Sequence, residues 1–337
     1  MSLDQILDAA LRGRSITRED AEVILSLGGA PPRLLEAAGR ARDRHQGREL
    51  RFYYPFPRFP SVSVTGTRCE LRCKHCGGHY LKGMAAVETP SKLREFCARL
   101  EAEGGVGLLV SGGSDIHGRV PLGPFHDALR WVKDNTDLIV NVHTGLLDAR
   151  WAEEIASTGI DIASVDLVGS DETIRRVYGL KATAEEYGET MNALREAGAP
   201  HVVPHICVGL DFGAIRGEAA ALEMAQRFDP ELVVILGLMP TPGTAMEAVE
   251  PPSAEVMARA VAAARLMCPE ASVSLGCMRP RADKIRMEEL AIRAGVDRVV
   301  LPSRSTVQTA EREGFSIRHL DGCCSIPRSL EDRALRA

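Results

Sequence analysis

The chain has no excess of positive charge. Its 41 lysines and arginines are outnumbered by 46 aspartates and glutamates, for a formal net charge of −5. That balance argues against a nucleic-acid surface, where a basic excess or stripe is the rule. No run of about 18 apolar residues occurs, so no transmembrane helix is expected. The start, Met1-Ser2-Leu3-Asp4-Gln5, lacks the basic and then apolar stretches of a secretion signal, and a soluble, cytoplasmic protein is expected. There is no second C-x2-C pair, which disfavours a four-ligand structural zinc site. The cysteines number nine, an odd count in a long chain with no sign of an oxidising compartment, so a disulfide framework is disfavoured too.

What is present is a core-forming chain of 337 residues, 45% of them hydrophobic. Leu3, Ile6, Leu7 and Ala10 recur at helical spacing. Thr17 to Asp20 has the form of a capping box and opens a second helix through Val23, Ile24 and Leu27. Gly28 and Gly29 stop it, and Pro31-Pro32 opens a third, Arg33 to Arg44. These helices are expected to cover one end of the core, and Phe52–Pro60 reads as an aromatic, proline-rich linker. Strand and helix patterns then alternate. The strands expected are Ser61–Val64, Gly107–Val110, Leu138–His143, Ile162–Leu167, Val202–Val208, Leu232–Leu238, Ser272–Cys277 and Arg298–Leu301. Eight such units predict an α/β fold, a (β/α)8 TIM barrel with its chemistry on the loops after the strands. The expected division is 1–58 as N-terminal helical extension, 59–302 as barrel, and 303–337 as C-terminal helix and capping Cys-Cys tail.

The unusual residues fall on those loops. After the first expected strand come Cys69, Cys73 and Cys76, spaced C-x3-C-x2-C. Three thiolates on one loop can hold three corners of a cubane iron–sulfur cluster and leave the fourth iron open. The second strand ends in Ser111-Gly112-Gly113-Ser114-Asp115, where glycines let backbone approach a ligand closely. Asp166, on an apolar strand, is either a buried, satisfied carboxylate or a ligand-facing group. His205 and Cys207 share a face of the fifth strand at a two-residue period. Arg175, Arg176 and Lys181 make a basic loop, which as a bare pattern is simply a solvated one. Of the remaining cysteines, Cys97 and Cys268 read as small core residues. Cys207, Cys277, Cys323 and Cys324 are left over. They are either four ligands for a second cluster or core fillers with a labile tail.

Cys69, Cys73 and Cys76, then Gly112-Gly113, then Pro240-Thr241-Pro242-Gly243-Thr244, resemble the motif set of the radical S-adenosylmethionine (radical SAM) superfamily, in its biotin synthase-like branch. The likeness covers residues 59 to 302, and the Cys323-Cys324 ending looks like the two-protein, archaeal-type lipoyl synthases. One departure is His75, where the superfamily commonly has an aromatic residue against the adenine. The resemblance implies a [4Fe–4S] cluster on Cys69, Cys73 and Cys76 whose open iron binds S-adenosylmethionine (SAM). Reductive cleavage then yields a 5′-deoxyadenosyl radical that takes hydrogen from an unactivated C–H bond. It also implies that His75, Gly112, Gly113, Ser114, Asp115, Asp166, Arg175, Lys181 and Pro240 contact the cofactor. A second Fe–S cluster on Cys207, Cys277, Cys323 and Cys324 would serve as sulfur donor, as in biotin and lipoyl synthases; three of these with Arg279 would resemble the biotin synthase form. Implied partners are a ferredoxin- or flavodoxin-type electron donor, a sister radical SAM protein and an octanoylated carrier domain. The rival readings are a radical mutase, lyase or maturase without sulfur insertion, and a non-catalytic Fe–S or zinc protein.

Overall fold

The computed structural model describes residues 1–336. Eleven strands form one all-parallel, curled sheet: β1 (Glu49–Tyr53), β2 (Ser61–Ser63), β3 (Ala85–Ala86), β4 (Gly107–Ser111), β5 (Ile139–His143), β6 (Ile162–Asp166), β7 (His201–Val208), β8 (Leu232–Gly237), β9 (Ser272–Leu275), β10 (Arg298–Val300) and β11 (Ser316–Leu320). Their order is β11-β1-β10-β9-β8-β7-β6-β5-β4-β2-β3, so the sheet curls as a barrel does while β3 and β11 remain its two edges. All eight expected strands are present.

Three further strands lie where no strand is expected. β1 falls inside the stretch bounded at residue 58 as a helical extension, and it pairs with β10 and β11. The boundary therefore does not separate a helical unit from the sheet. The physical reason is that Leu50 and Phe52 alternate with Arg51 and Tyr53, giving each face of the strand its own buried surroundings.

The N-terminal helices Leu3–Leu11, Arg18–Leu25 and Pro32–His45 begin at Ser2, Thr17 and Pro31, and the first two carry complete capping boxes. They do not cover an end of the core as expected. Arg18–Leu25 and Pro32–His45 pack outside the barrel helices, chiefly against Ala254–Met267. That helix is buried on nearly every side, and its run of alanines between Ala258 and Ala264 lets neighbouring helices approach closely. Its Arg265 is fully buried and paired to Asp297 at 2.6 Å. A buried charge persists only when paired in this way.

The tail caps the barrel at the mouth formed by the N-terminal ends of the strands, opposite the cysteine loop. Arg328 N donates to Glu231 just before β8 (2.9 Å), and Arg58 before β2 pairs with Asp321 (3.1 Å). Cys324, Ile326 and Ala334 join Ile139, Ile162, Val203, Leu232 and Val234 in the lower lumen. The anchor is Glu331, which accepts from Arg51 Nε (2.8 Å) and Tyr53 Oη (2.9 Å) and pairs with Arg298 (3.0 Å), all deeply buried.

Candidate active site

The cysteine loop lies at the C-terminal end of β2, directly on the glycine turn after β4. Gly113 is required there: a Cβ at this position would sit 2.0 Å from Arg68 O and 2.6 Å from the Cα and Cβ of Cys69. Gly113 N donates to Thr65 Oγ1 (2.7 Å), which donates to Arg68 O (2.8 Å); Glu70 N donates to Ser114 O (2.9 Å). The far side of the loop is held by the turn after β8. Tyr80 Oη and Thr241 Oγ1 are 2.8 Å apart, and Thr244 packs beside Gly77. Pro240 sits half-buried in that turn.

Cys73 and Cys76 face one another. The hydrogen bond between them concentrates the proton on Cys73, whose thiol is pushed up, and lowers Cys76 to about 4, with further help from His75. His75 lies edge-on to Tyr178, ring centroids 5.5 Å apart, and its Nδ1 is buried without a partner among the described residues. Residues Ile174–Tyr178 form a wide π-type turn, a feature that recurs at functional sites.

Beneath the loop is a cavity of about 150 Å³, lined by Cys73, Ser111, Gly112, Ser114, His143, Ser164, Asp166, Tyr178 and Tyr187 among others. Thus Cys73, Gly112, Ser114 and Asp166 meet at one space. Asp166 is exposed to it, which selects the ligand-facing alternative over the buried one. Asp115 does not line the cavity; its Oδ1 accepts from His117 N and Arg119 N within its own turn. Arg175 and Lys181 are exposed beyond the cavity wall and make no ion pair among the described residues, whereas Arg176 is tied to Asp211 at 3.1 Å. Sequence reasoning passed over Tyr178 and Tyr187, which reach the cavity from outside any strand pattern. It also passed over Asn141, a polar residue on an otherwise apolar strand and on the same face as His143 at a two-residue period.

The four leftover cysteines divide. Cys277, just past β9, and Cys324 share a hydrogen bond. It lowers Cys277 to about 7, with help from Arg279 and two backbone N–H groups, and pushes Cys324 up. Cys323 stands close enough for the charge of Cys277 to act on it, and burial raises its thiol. Cys277 is accessible although protein surrounds it, because its surface faces the lumen. Cys207 is not among this group. Its charged neighbours are Asp166 and Glu218, and it lies near Tyr80 and Tyr178 on the side of the cysteine loop. Cys207 thus stands apart from the other three, beside Asp166 and the cysteine loop. Arg279 is held by Glu288 (2.6 Å) and Gly276 O (2.6 Å), with its buried Nε unpartnered.

Among the described residues no three His, Cys, Asp or Glu side chains gather around a single ion. A lone zinc needs such a point, whereas a cubane distributes its thiolates over separate irons. The glycine seat under Cys69 and the unpartnered His75 Nδ1 beside Cys76 fit a cluster and its bound ligand.

The sequence pattern described as the radical SAM superfamily matches residues 63–212, the span from the end of β2 past β7 that carries the cysteine loop, the glycine turn and the lining of the cavity. The chain carries a radical SAM domain, and biotin synthases are among its relatives. The biotin synthase of Chromohalobacter salexigens is 28% identical over 256 residues, 71% of this chain and 65% of that protein, just under two thirds of its length. The biotin synthase of Synechococcus sp. strain CC9605 is 25% identical over 294 residues, 84% of each chain. Two solved structures share the fold. A maturase of the [FeFe]-hydrogenase superposes with a TM-score of 0.71 at 18% identity, covering 94% of this chain and 75% of its own. Methylornithine synthase superposes with a TM-score of 0.68 at 19% identity, covering 93% and 97%. A radical SAM enzyme uses a [4Fe–4S] cluster and SAM, and needs an electron donor. Among the described residues no helix is long and apolar enough to cross a membrane.

Proposed function

We propose that this radical SAM enzyme forms a carbon–sulfur bond, with Cys69, Cys73 and Cys76 holding the SAM-binding cluster and Cys277, Cys323 and Cys324 holding an auxiliary Fe–S centre. The observation that carries the reading is the meeting of those last three thiols, from β9 and the tail, in the lumen below the cofactor cavity. When bound, the first cluster and SAM would supply radical chemistry for hydrogen abstraction, and the auxiliary centre would supply sulfur.

The chain's own part is to bind, orient and exclude. Gly112, Gly113 and Ser114 present backbone to the methionine end of SAM, and Arg175 or Lys181 reaches its carboxylate. His75 and Pro240 pack the adenosine, and Asp166 accepts from its hydroxyls. The tail seals the lower mouth, which keeps water and solutes from quenching a radical inside the lumen. An octanoyl-lysine carrier domain is the substrate to test first. A ferredoxin- or flavodoxin-type protein would be the reductant, and a sister radical SAM protein the second partner.

The test uses anaerobically reconstituted protein with Cys323→Ala and Cys324→Ala together. The variant is expected to lose about four irons per chain and all sulfur-containing product, while still forming 5′-deoxyadenosine from SAM. Unchanged iron, with no sulfur-containing product from either protein, would instead favour a radical mutase, lyase or maturase that inserts no sulfur.

A further inference from the structure

A buried chain of polar groups crosses the lumen at the level of the tail thiols, and forming the radical does not call for it. Asn141 on β5, Ser164 on β6, His205 on β7 and Ser325 on the tail are each between 1 and 4% exposed. Ser164 Oγ is 2.9 Å from Asn141 Oδ1 and 3.2 Å from Ser325 Oγ, which is 3.2 Å from His205 Nε2. His205 Nδ1 is 3.0 Å from Val203 O, and Asn141 Nδ2 is 3.4 Å from Cys323 Sγ.

The directions of these bonds follow from what each group can do. A carbonyl only accepts, so His205 Nδ1 carries the hydrogen and Nε2 accepts from Ser325. The one Ser164 hydroxyl hydrogen goes to Asn141 Oδ1, so its 3.2 Å approach to Ser325 Oγ is a contact without a shared hydrogen, and the amide is turned so that Nδ2 points at the Cys323 sulfur. Burying four polar side chains is costly unless they are bonded. Here the bonding ends on one tail cysteine.

We propose that Asn141 is a positioning residue for the auxiliary centre. Its amide donates to the Cys323 sulfur, aims that sulfur into the lumen, and raises the reduction potential of the metal centre the sulfur ligates. The inference rests on the reading that Cys277, Cys323 and Cys324 hold an Fe–S centre. Hydrogen bonds to ligand sulfurs are among the features that set cluster potentials. Ser164, with the Ser325–His205 pair behind it, keeps the amide from turning over.

The test uses the full chain carrying Cys69→Ala, Cys73→Ala and Cys76→Ala, so that only the auxiliary centre takes up iron. Iron and sulfide are counted after anaerobic reconstitution, and the midpoint is found by redox titration followed by electron paramagnetic resonance. Adding Asn141→Ala is expected to leave the iron content as in the parent and lower the midpoint. The ratio of reduced to oxidised centre at fixed potential should fall about tenfold, about 59 mV for a one-electron couple. Ser164→Ala, which keeps the donor but frees its orientation, should shift the midpoint the same way by less. A parent that binds no iron sinks the Fe–S reading and this inference together. A parent that binds iron, with midpoints unmoved in both variants, overturns the role of Asn141 alone. If Asn141→Ala does not fold, Ser164→Ala decides by the same criterion.

Discussion

Replacing Glu331 by glutamine should release the tail before it unfolds the barrel. The carboxylate is 1% exposed and faces Arg51 at 2.8 Å and Arg298 at 3.0 Å, the latter fully buried. Removing its charge leaves Arg51 with only Glu49 and Arg298 with only Asp297 at 3.7 Å, a loss of up to about 3–5 kcal/mol by comparison with broken buried pairs. At about 1.36 kcal/mol per decade, that raises the population of the detached state by roughly a hundredfold to several thousandfold. The tail is the element that yields because its apolar contribution is small: mainly Ile326, Ala334 and Leu330 against the lower lumen. Segments with few buried contacts open locally, well below the global free energy. Hydrogen exchange read by mass spectrometry on the full chain would show residues 321–336 losing protection in Glu331→Gln while β5 to β8 keep theirs. Unaltered protection of the tail would refute the claim that Glu331 holds it. Equal loss in tail and sheet would show that the tail is not a separable unit.

Gly113→Ala should abolish binding of the SAM-site cluster while leaving the fold intact, because the added Cβ meets the backbone of Arg68 and Cys69; iron content with a circular dichroism control checks this. Burial lowers His205 to about 4 and also lowers its neighbour His143. The unfolded chain, with His near 6.5, therefore binds more protons than the folded one between about pH 6.5 and 4, and stability falls as pH drops through that window. His205→Gln should flatten the fall, as seen in urea midpoints measured across it. Of Arg175→Ala and Lys181→Ala, the one that removes the carboxylate contact should weaken SAM binding about tenfold or more, the scale of a hydrogen bond to a charged group. Equilibrium dialysis against SAM separates the two.

The eight repeating strands and the cysteine loop are legible because both are local: a period of two, a spacing of three and two residues. β1 was hidden by its own composition, since Phe52 and Tyr53 sit beside a proline-rich run and look like a linker. What makes it a strand is distant. Tyr53 and Arg51 find their partner in Glu331, at the far end of the chain. The same distance hid the tail's direction of approach. Cys207 looked equivalent to Cys277 because the sequence places both near strand ends, and only the distant neighbours of each, Asp166 for Cys207 and Cys324 for Cys277, separate them. Asn141 was readable, since a polar residue two positions from His143 on an apolar strand carries the same signal as Asp166.

The end of the tail has a further role at the rim of the sheet. Leu335 bridges Leu320 in antiparallel fashion, Asp321 N donates to Ala334 O, and Arg336 N donates to His319 O. The outer edge of β11 is thus covered by the chain's own last residues. An uncovered edge strand is a template for pairing with another molecule. Any event that withdraws the tail, whether loss of an ion pair or the rebuilding of a metal centre, would also bare that edge. Self-association during reconstitution would then follow, and light scattering would register it alongside tail release.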